Sequence, residues 1–162
     1  MPLLTDLQLE AAAQLSAQPF FADADAPAGG APRPVAVLTE QRGDLQSRVR
    51  LSLAQQGIVC VVLTPTARMT NRNRQRPYFD EIRIVARTQE NVVLNRADTG
   101  TGQPASLVAE AAAWGLHGYT PASLGCTLLL EEIRLVDDPR LLVYETVFTL
   151  QAGLAVAPAR LR

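Results

Sequence analysis

The side chains that most often carry enzyme chemistry are few in this sequence and are poorly spaced for it. His117 is the single histidine and follows a helical segment, where a histidine most often bonds the terminal carbonyls. Cys60 and Cys126 stand alone in apolar runs, which is typical of buried free thiols in a reducing compartment. The spacings His-x-x-x-His, Cys-x-x-Cys and Gly-x-Ser-x-Gly do not occur. The sequence therefore predicts a protein that is not an enzyme, with no catalytic residue, metal site or cofactor.

Three further motifs have structural interpretations that we favour over chemical ones. Gly100-Thr101-Gly102 could suggest a phosphate-binding loop, but the chain has no lysine to follow it, so we expect a loop before a helix. Glu131 and Glu132 are neighbours in a strand-like run and would point to opposite faces. Asp137-Asp138 precedes a proline and is typical of a turn.

The segment 65–77 (PTARMTNRNRQRP) has the strongest claim to a binding role. It contains four arginines and no acid: Arg68, Arg72, Arg74 and Arg76. Guanidinium groups can bind phosphates or the acidic surface of a partner, and in a ring they would form a positive collar around a channel. A solvated loop that only keeps the protein soluble is the alternative interpretation. No aromatic residue interrupts the segment before Tyr78, which argues against base stacking.

Length and composition indicate one folded domain over residues 1–162. The chain is 48% hydrophobic and 19% charged, and its formal net charge of −1 predicts no bulk attraction to nucleic acid or anionic lipid. The N-terminus carries acids where a signal peptide would be basic, and no apolar run reaches membrane-spanning length, so we expect no membrane partner. Loops are expected near 22–34 and 65–78, with a loose C-terminal tail at 152–162.

Hydrophobic periodicity predicts an α+β domain with a mainly antiparallel sheet, a long C-terminal β-hairpin and two to three flanking helices. The helices are expected at 5–18, 44–57 and from 104 or 105 to about 115. Strands are expected at 35–39, at an edge because prolines precede it, at 58–64 in the centre, and at 79–88 with one face exposed. The hairpin occupies 126–150 around the turn at 137–140.

The second arm of the hairpin is apolar on both sides. Leu142, Tyr144, Thr146, Phe148 and Leu150 share one face, and Leu141, Val143, Glu145, Val147 and Thr149 share the other. Such a strand must be covered on both faces, by the chain's own helices or by neighbouring subunits. We therefore expect subunit contacts at six residues: Leu141, Val143, Glu145, Val147, Trp114 and Tyr119.

The second half of the chain resembles small phage tail-completion proteins, which belong with the tail-terminator and minor tail proteins. The resemblance rests on NVVLNRADTGTGQPASLVAEAAAWGLHGYTP, followed by a long hairpin with a DDP turn that ends in LLVYETVFTL, or about Asn91 to Leu150. The first half agrees in element order and in its opening amphipathic helix.

The resemblance implies a structural virion protein that forms a ring, most simply a homohexamer. Such a ring caps the tail tube, stops its polymerisation and joins it to the head connector or neck protein, with transient contact to DNA passing through the channel. The protein would be made in the cytoplasm of the bacterial host and would reside at the neck end of the tail. A tail-tube, baseplate or neck subunit is the first alternative. A nucleic-acid-binding accessory protein that uses the arginine-rich segment is the second, and the net charge disfavours it.

Overall fold

The computed structural model describes residues 3–23, 34–68, 81–97 and 100–151. These residues form a seven-stranded sheet with helices on both faces, so the predicted α+β class with a mainly antiparallel sheet is confirmed. The strands are β1 (Phe21–Asp23), β2 (Val35–Thr39), β3 (Ile58–Val62), β4 (Thr66–Arg68), β5 (Glu81–Glu90), β6 (Leu129–Val136) and β7 (Leu142–Gln151). The α-helices are α1 (Leu3–Ser16), α2 (Leu45–Gln56), α3 (Val92–Asn95) and α4 (Ala105–Leu116), and a short 3-10 turn covers Glu40–Arg42. None of the helices in these ranges is long and apolar enough to cross a membrane.

The sheet has the strand order β1-β2-β3-β5-β7-β6, with β4 alongside β5. β1, β2 and β3 run parallel to one another, and every other pairing is antiparallel. The pairing of β5 with β7 extends over ten residues of each strand and is the longest in the sheet. The predicted C-terminal hairpin is confirmed as β6 and β7, and its turn is held by Asp138, whose Oδ1 accepts the N–H groups of Arg140 and Leu141 at 2.8 and 2.9 Å.

One face of the sheet packs against α1 and α4 and holds the main core. Alternate residues of the central strands point to this side because side chains in a strand alternate between faces. Phe148 of β7 is fully buried here among Leu7 and Leu15 of α1 and Leu116 of α4. We call this side the α1/α4 face.

The opposite face is covered by α2 over β2 and β3. Leu45, Val49 and Leu53 of α2 pack on Val59 and Val61 of β3, the residues that point away from the main core. Asp44 caps the helix by accepting the N–H groups of the next turn, and Gly57 ends it with a φ of 74°, so the helix lies within the range 44–57 that the sequence predicted. We call this side the α2 face.

Three short elements correct the sequence predictions. The predicted edge position of β2 is wrong, because the three-residue strand β1 pairs with it on the outer side. β4 forms at the start of the predicted loop 65–78, and α3 makes one helical turn where no helix was predicted. Elements this short carry no periodic pattern and depend on tertiary partners. The rest of the two predicted loops, at 24–33 and 69–78, the first two residues of the predicted strand 79–88, and the predicted tail at 152–162 lie outside the described residues.

Candidate assembly surface

Several polar side chains of the described residues join one element of the fold to another. Within ranges 3–23, 34–68, 81–97 and 100–151, no three His, Cys, Asp or Glu side chains are grouped to hold a metal ion. His117 Nδ1 accepts the N–H of Leu130 at 3.1 Å, so it joins the end of α4 to the start of β6, where the sequence had suggested contact with helix carbonyls. Burial raises the pKa of the Cys60 thiol to about 12, which makes it a poor nucleophile.

An exposed apolar surface lies where α4 meets the edge strand β6. Trp114 is 84% exposed and Leu135 is 61% exposed, and both belong to this surface. The two elements enclose a groove of about 540 Å³. Its lining residues are Glu110, Ala113, Trp114, His117, Leu130 and Ile133. We define the α4–β6 surface as Leu107, Trp114, Leu130, Ile133 and Leu135.

The position of β6 explains why these side chains are exposed. Leu130, Ile133 and Leu135 pair with Phe148, Thr146 and Tyr144 of β7 and therefore point to the α1/α4 face. Helix α4 lies on this face over β5 and β7 and turns its buried stripe, which includes Val108, Ala112 and Leu116, toward them. Its outer stripe, Leu107, Glu110 and Trp114, lies three and four positions apart on the exposed side. In the described residues β6 is the last strand on this side of the sheet, so its apolar side chains are left half covered.

A second exposed apolar surface lies on the α2 side of the molecule. It consists of Leu51 on α2 and the three-residue run Val92, Val93 and Leu94 on α3. We call these residues the α2–α3 surface. The two apolar surfaces are carried by different elements and are not equivalent.

A set of ion pairs covers the α2 face over β5, β7 and β6. Glu145 of β7 lies opposite Arg87 of β5 and Arg134 of β6, and its two carboxylate oxygens accept four N–H groups from the two guanidiniums. Burial alone would raise the pKa of Glu145, but the hydrogen bonds from Arg87 and Arg134 outweigh it and hold this pKa below its usual range. Arg83 binds Glu81 and reaches Glu131 at 3.0 Å in the same way. The cluster stabilises the packing of three strands.

A buried polar clamp joins the end of β5 to the start of α4. The carboxylate of Glu90, which is fully buried, accepts the N–H of Ala105 and the side-chain amide of Asn95, both at 2.8 Å. Asn95 also donates to Gln103 O at 2.7 Å and accepts from the Thr101 hydroxyl at 2.7 Å. Pro104, at the cap position of α4, makes no side-chain hydrogen bond, so Glu90 supplies that function from another element. We call this group the polar clamp.

Of the residues that the sequence proposed for partner contacts, the structure exposes some and buries others. Arg68 is exposed at the end of β4, opposite Glu81, while Arg72, Arg74 and Arg76 lie outside the described residues. Trp114 is exposed. Within one subunit the remaining candidates are covered to different degrees: Leu141 and Tyr119 are half-buried, and Val143, Glu145 and Val147 are buried.

Sequence reasoning did not select Leu130, Ile133 and Leu135, which the structure places beside Trp114. The signal that could have indicated them is the mixed pattern LLEEIRLV in the first arm of the hairpin, where acids interrupt the apolar residues. Only the strand order shows that this arm is at the edge of the sheet.

Comparisons with protein-family models, with curated proteins and with solved structures give no match for this chain.

Proposed function

We propose that this chain is a structural subunit of a phage or phage-like tail. It assembles into a ring that caps the tail tube, stops its polymerisation and joins the tube to the head connector. The observation that carries this proposal is the α4–β6 surface. Single soluble subunits rarely expose a contiguous apolar area around an aromatic side chain, and tryptophan is enriched at the energetic centres of protein interfaces.

The resemblance to tail-completion proteins supports the proposal in the same region. The resembling segment, about Asn91 to Leu150, contains α3, α4, β6 and β7, and so it carries the whole α4–β6 surface and most of the α2–α3 surface. Two non-equivalent surfaces suit head-to-tail contact, in which one surface of a subunit binds a different surface of the next. Contacts of that kind close into rings when the rotation between subunits allows it.

The arginine-rich segment gives the proposed ring a second contact. Arg68 is exposed and is the last described residue of this segment. In a ring, Arg68, Arg72, Arg74 and Arg76 would face a neighbouring ring or the channel through which DNA passes. Guanidinium groups bind the carboxylates of a partner protein or the phosphates of DNA equally well by geometry.

The primary test combines light scattering with tube-length measurement. The purified chain is measured alone and with a candidate tube protein, and tube lengths are then counted by electron microscopy with and without the chain. We expect a ring-sized species in the presence of the tube and tubes that stop growing when the chain is added. A chain that polymerises into tubes by itself would instead identify a tube subunit, and a chain that neither forms a ring nor limits tube growth would refute the proposal.

Trp114→Ala tests the surface itself. Because the side chain is exposed, we expect an unchanged melting temperature and a loss of ring formation. Gln46→Ala, at an exposed position in the first turn of α2 and on a different side of the helix from Leu51, is the matched control and should assemble normally. Normal assembly of the Trp114→Ala variant would remove the α4–β6 surface from the proposal.

Replacing Arg72, Arg74 and Arg76 together with alanine separates docking from ring formation. We expect the ring to form and its binding to the tube or connector to weaken. Unchanged particle assembly in this variant would exclude a docking role for the segment.

A further inference from the structure

Strand β6 offers an open edge that has an unusual internal symmetry. Its residues are exposed except for Val136, which is half-buried, and in the described part of the chain no strand pairs with its outer side. The chain itself covers this side only at the start of the strand, where His117 bonds Leu130. Charged residues at a sheet edge usually discourage a further strand. Here, however, the charges and the apolar residues of β6 are arranged so that the strand is complementary to a second copy of itself.

The direction of the backbone groups follows from one hydrogen bond. Leu130 donates its N–H to His117, outside the ladder with β7, so this residue turns its polar groups away from β7. Ile133 and Leu135 pair with Thr146 and Tyr144, which lie two and four positions before the partner of Leu130 on β7. Residues in alternate positions of an antiparallel ladder have the same hydrogen-bonding direction. The N–H and C=O groups of Ile133 and Leu135 therefore point to the open edge.

An irregularity in β6 sets the register of the second copy. The pairing with β7 shifts between Leu130 and Glu132, so Glu131 is an extra residue and the strand changes phase there. With this bulge retained, an antiparallel copy centred on Ile133 brings together only residues that share a face. The resulting pairs are Ile133 with Ile133 and Glu132 with Arg134. Beyond them, Leu135 of one copy meets the His117 ring that covers the outer side of Leu130 in the other copy.

Neighbouring registers are much less favourable. Centring the pair on Arg134 places two guanidiniums directly opposite each other, and centring it on Glu132 does the same with two carboxylates. In a register shifted by one residue, side chains that point to one face of the sheet would lie opposite side chains that point to the other face. The register centred on Ile133 alone forms two Glu132–Arg134 pairs, which extend the contact of 3.0 Å that these two residues already make within one copy.

We infer that two copies of this chain pair antiparallel through β6, about a twofold axis at Ile133, into one continuous sheet. A twofold axis between antiparallel strands keeps both α4 helices on the same side of that sheet. The Leu130, Ile133 and Leu135 side chains of both copies then form one apolar strip along the seam, flanked by the two Trp114 rings. The grooves of the two copies open onto each other, and the α4–β6 surface becomes covered.

The dimer also bears on assembly, and this step rests on the proposed function. A twofold contact is complete with two copies, whereas a ring requires head-to-tail contacts, so the two arrangements compete for the α4–β6 surface. The dimer is then the form in which the chain is stored before it meets the tube.

Disulfide trapping tests the axis directly. Ile133→Cys is prepared in a Cys126→Ser background and oxidised with diamide, with Leu135→Cys as the matched control on the same strand and face. At the axis the two introduced Cα atoms would be about 5.5 Å apart, within the range that a disulfide spans. At position 135 they would be about 14 Å apart and would not be joined. We expect a covalent dimer from the first variant and a monomer from the second on a non-reducing gel.

Light scattering of the full-length protein provides the second measurement. We expect a concentration-dependent dimer for the wild type, and Glu132→Arg should weaken it by about tenfold or more because two attractive pairs become repulsive. Equal trapping at positions 133 and 135, or a wild type that remains monomeric at 100 micromolar (a concentration on the order of 100 times a micromolar Kd), would overturn the inference.

The twofold pairing and the tail function can be refuted independently of each other. If trapping at position 133 fails but the chain still limits tube growth, the twofold pairing is excluded and the tail function stands. If the dimer forms but tube length is unaffected, the pairing stands and the tail function is excluded.

Discussion

Glu145→Gln is the most informative single change because the replaced side chain holds three strands together. Glutamine keeps the shape of glutamate but loses the charge that binds Arg87 and Arg134. The Glu145 side chain is only 7% exposed, whereas those of Arg87 and Arg134 are 36% and 54% exposed, so both guanidiniums can turn to water after the change. The lost free energy should therefore be close to that of a hydrogen bond with a charged group. It should be smaller than the cost of leaving a buried charge without a partner. We expect the free energy of unfolding to fall by about 2 kcal/mol at pH 7.

The effect should depend on pH in a defined direction. The folded protein holds the pKa of Glu145 below its usual range, so the carboxylate stabilises the fold at any pH above the unfolded value of about 4.3. This stabilisation is lost as the pH falls below that value and through the folded pKa. The difference in unfolding free energy between wild type and Glu145→Gln should thus be largest near neutrality and should shrink below about pH 4.

Urea denaturation at pH 7 and at pH 3 measures both effects. Glu131→Gln is the matched control, because Glu131 also binds an arginine on this face but its side chain is 36% exposed, and we expect a change below about 1 kcal/mol. The reasoning is refuted if the two variants lose the same stability at pH 7, or if the Glu145→Gln difference is as large at pH 3 as at pH 7.

Three other outcomes follow from the buried interior. Asn95→Ala removes the centre of the polar clamp and leaves the Glu90 carboxylate with one partner fewer, so unfolding free energy measured in urea should fall by roughly 2–3 kcal/mol. Gly57→Ala should destabilise the protein by at least about 1 kcal/mol, because the residue has a φ of 74° and a Cβ would lie 2.1 Å from the backbone nitrogen of Asn95. In thiol titration with Ellman's reagent, Cys60 should react only after unfolding, since burial raises its pKa to about 12, whereas the half-buried Cys126 should react sooner.

Each of these three predictions has a control within the same chain. Asn91→Ala removes only a helix-capping contact at the start of α3 and should cost about 1 kcal/mol, so an equal loss from Asn95→Ala would contradict the polar clamp. Gly43→Ala also has a positive φ but meets no atom within 4 Å, which isolates the steric part of the Gly57 effect. Rapid reaction of two thiols in the native protein would contradict the burial of Cys60.

Local patterns were sufficient to predict the larger elements. The continuous apolar run at 58–64 predicted a central strand, and all five residues of β3 are buried between neighbours on both sides. Strict alternation in β5 predicted its buried and exposed faces, and Asp44 and Gly57 marked the ends of α2. In each case the signal lies within a few residues of the chain, where sequence patterns are most reliable.

Contacts between distant residues were not predictable. Glu145 interrupts an apolar face in the sequence, and its role depends on Arg87, which is 58 residues away, and on a register that no local pattern specifies. The same holds for β1, since three residues form a strand there only because Val35 and its neighbours lie alongside. The α4–β6 surface was predicted only through Trp114, because exposure of β6 follows from the order of the strands.

The polar clamp has a consequence for the order in which the molecule folds. An isolated helix of twelve residues is marginal in water, and α4 starts at a proline that provides no capping side chain. Glu90 bonds the first amide of α4, and this carboxylate is in position only when the end of β5 has formed. Formation of α4 is therefore tied to formation of the sheet, and the two should behave as one cooperative unit. In native-state hydrogen exchange, the amides of α4 and β5 should open together, with the same dependence on denaturant.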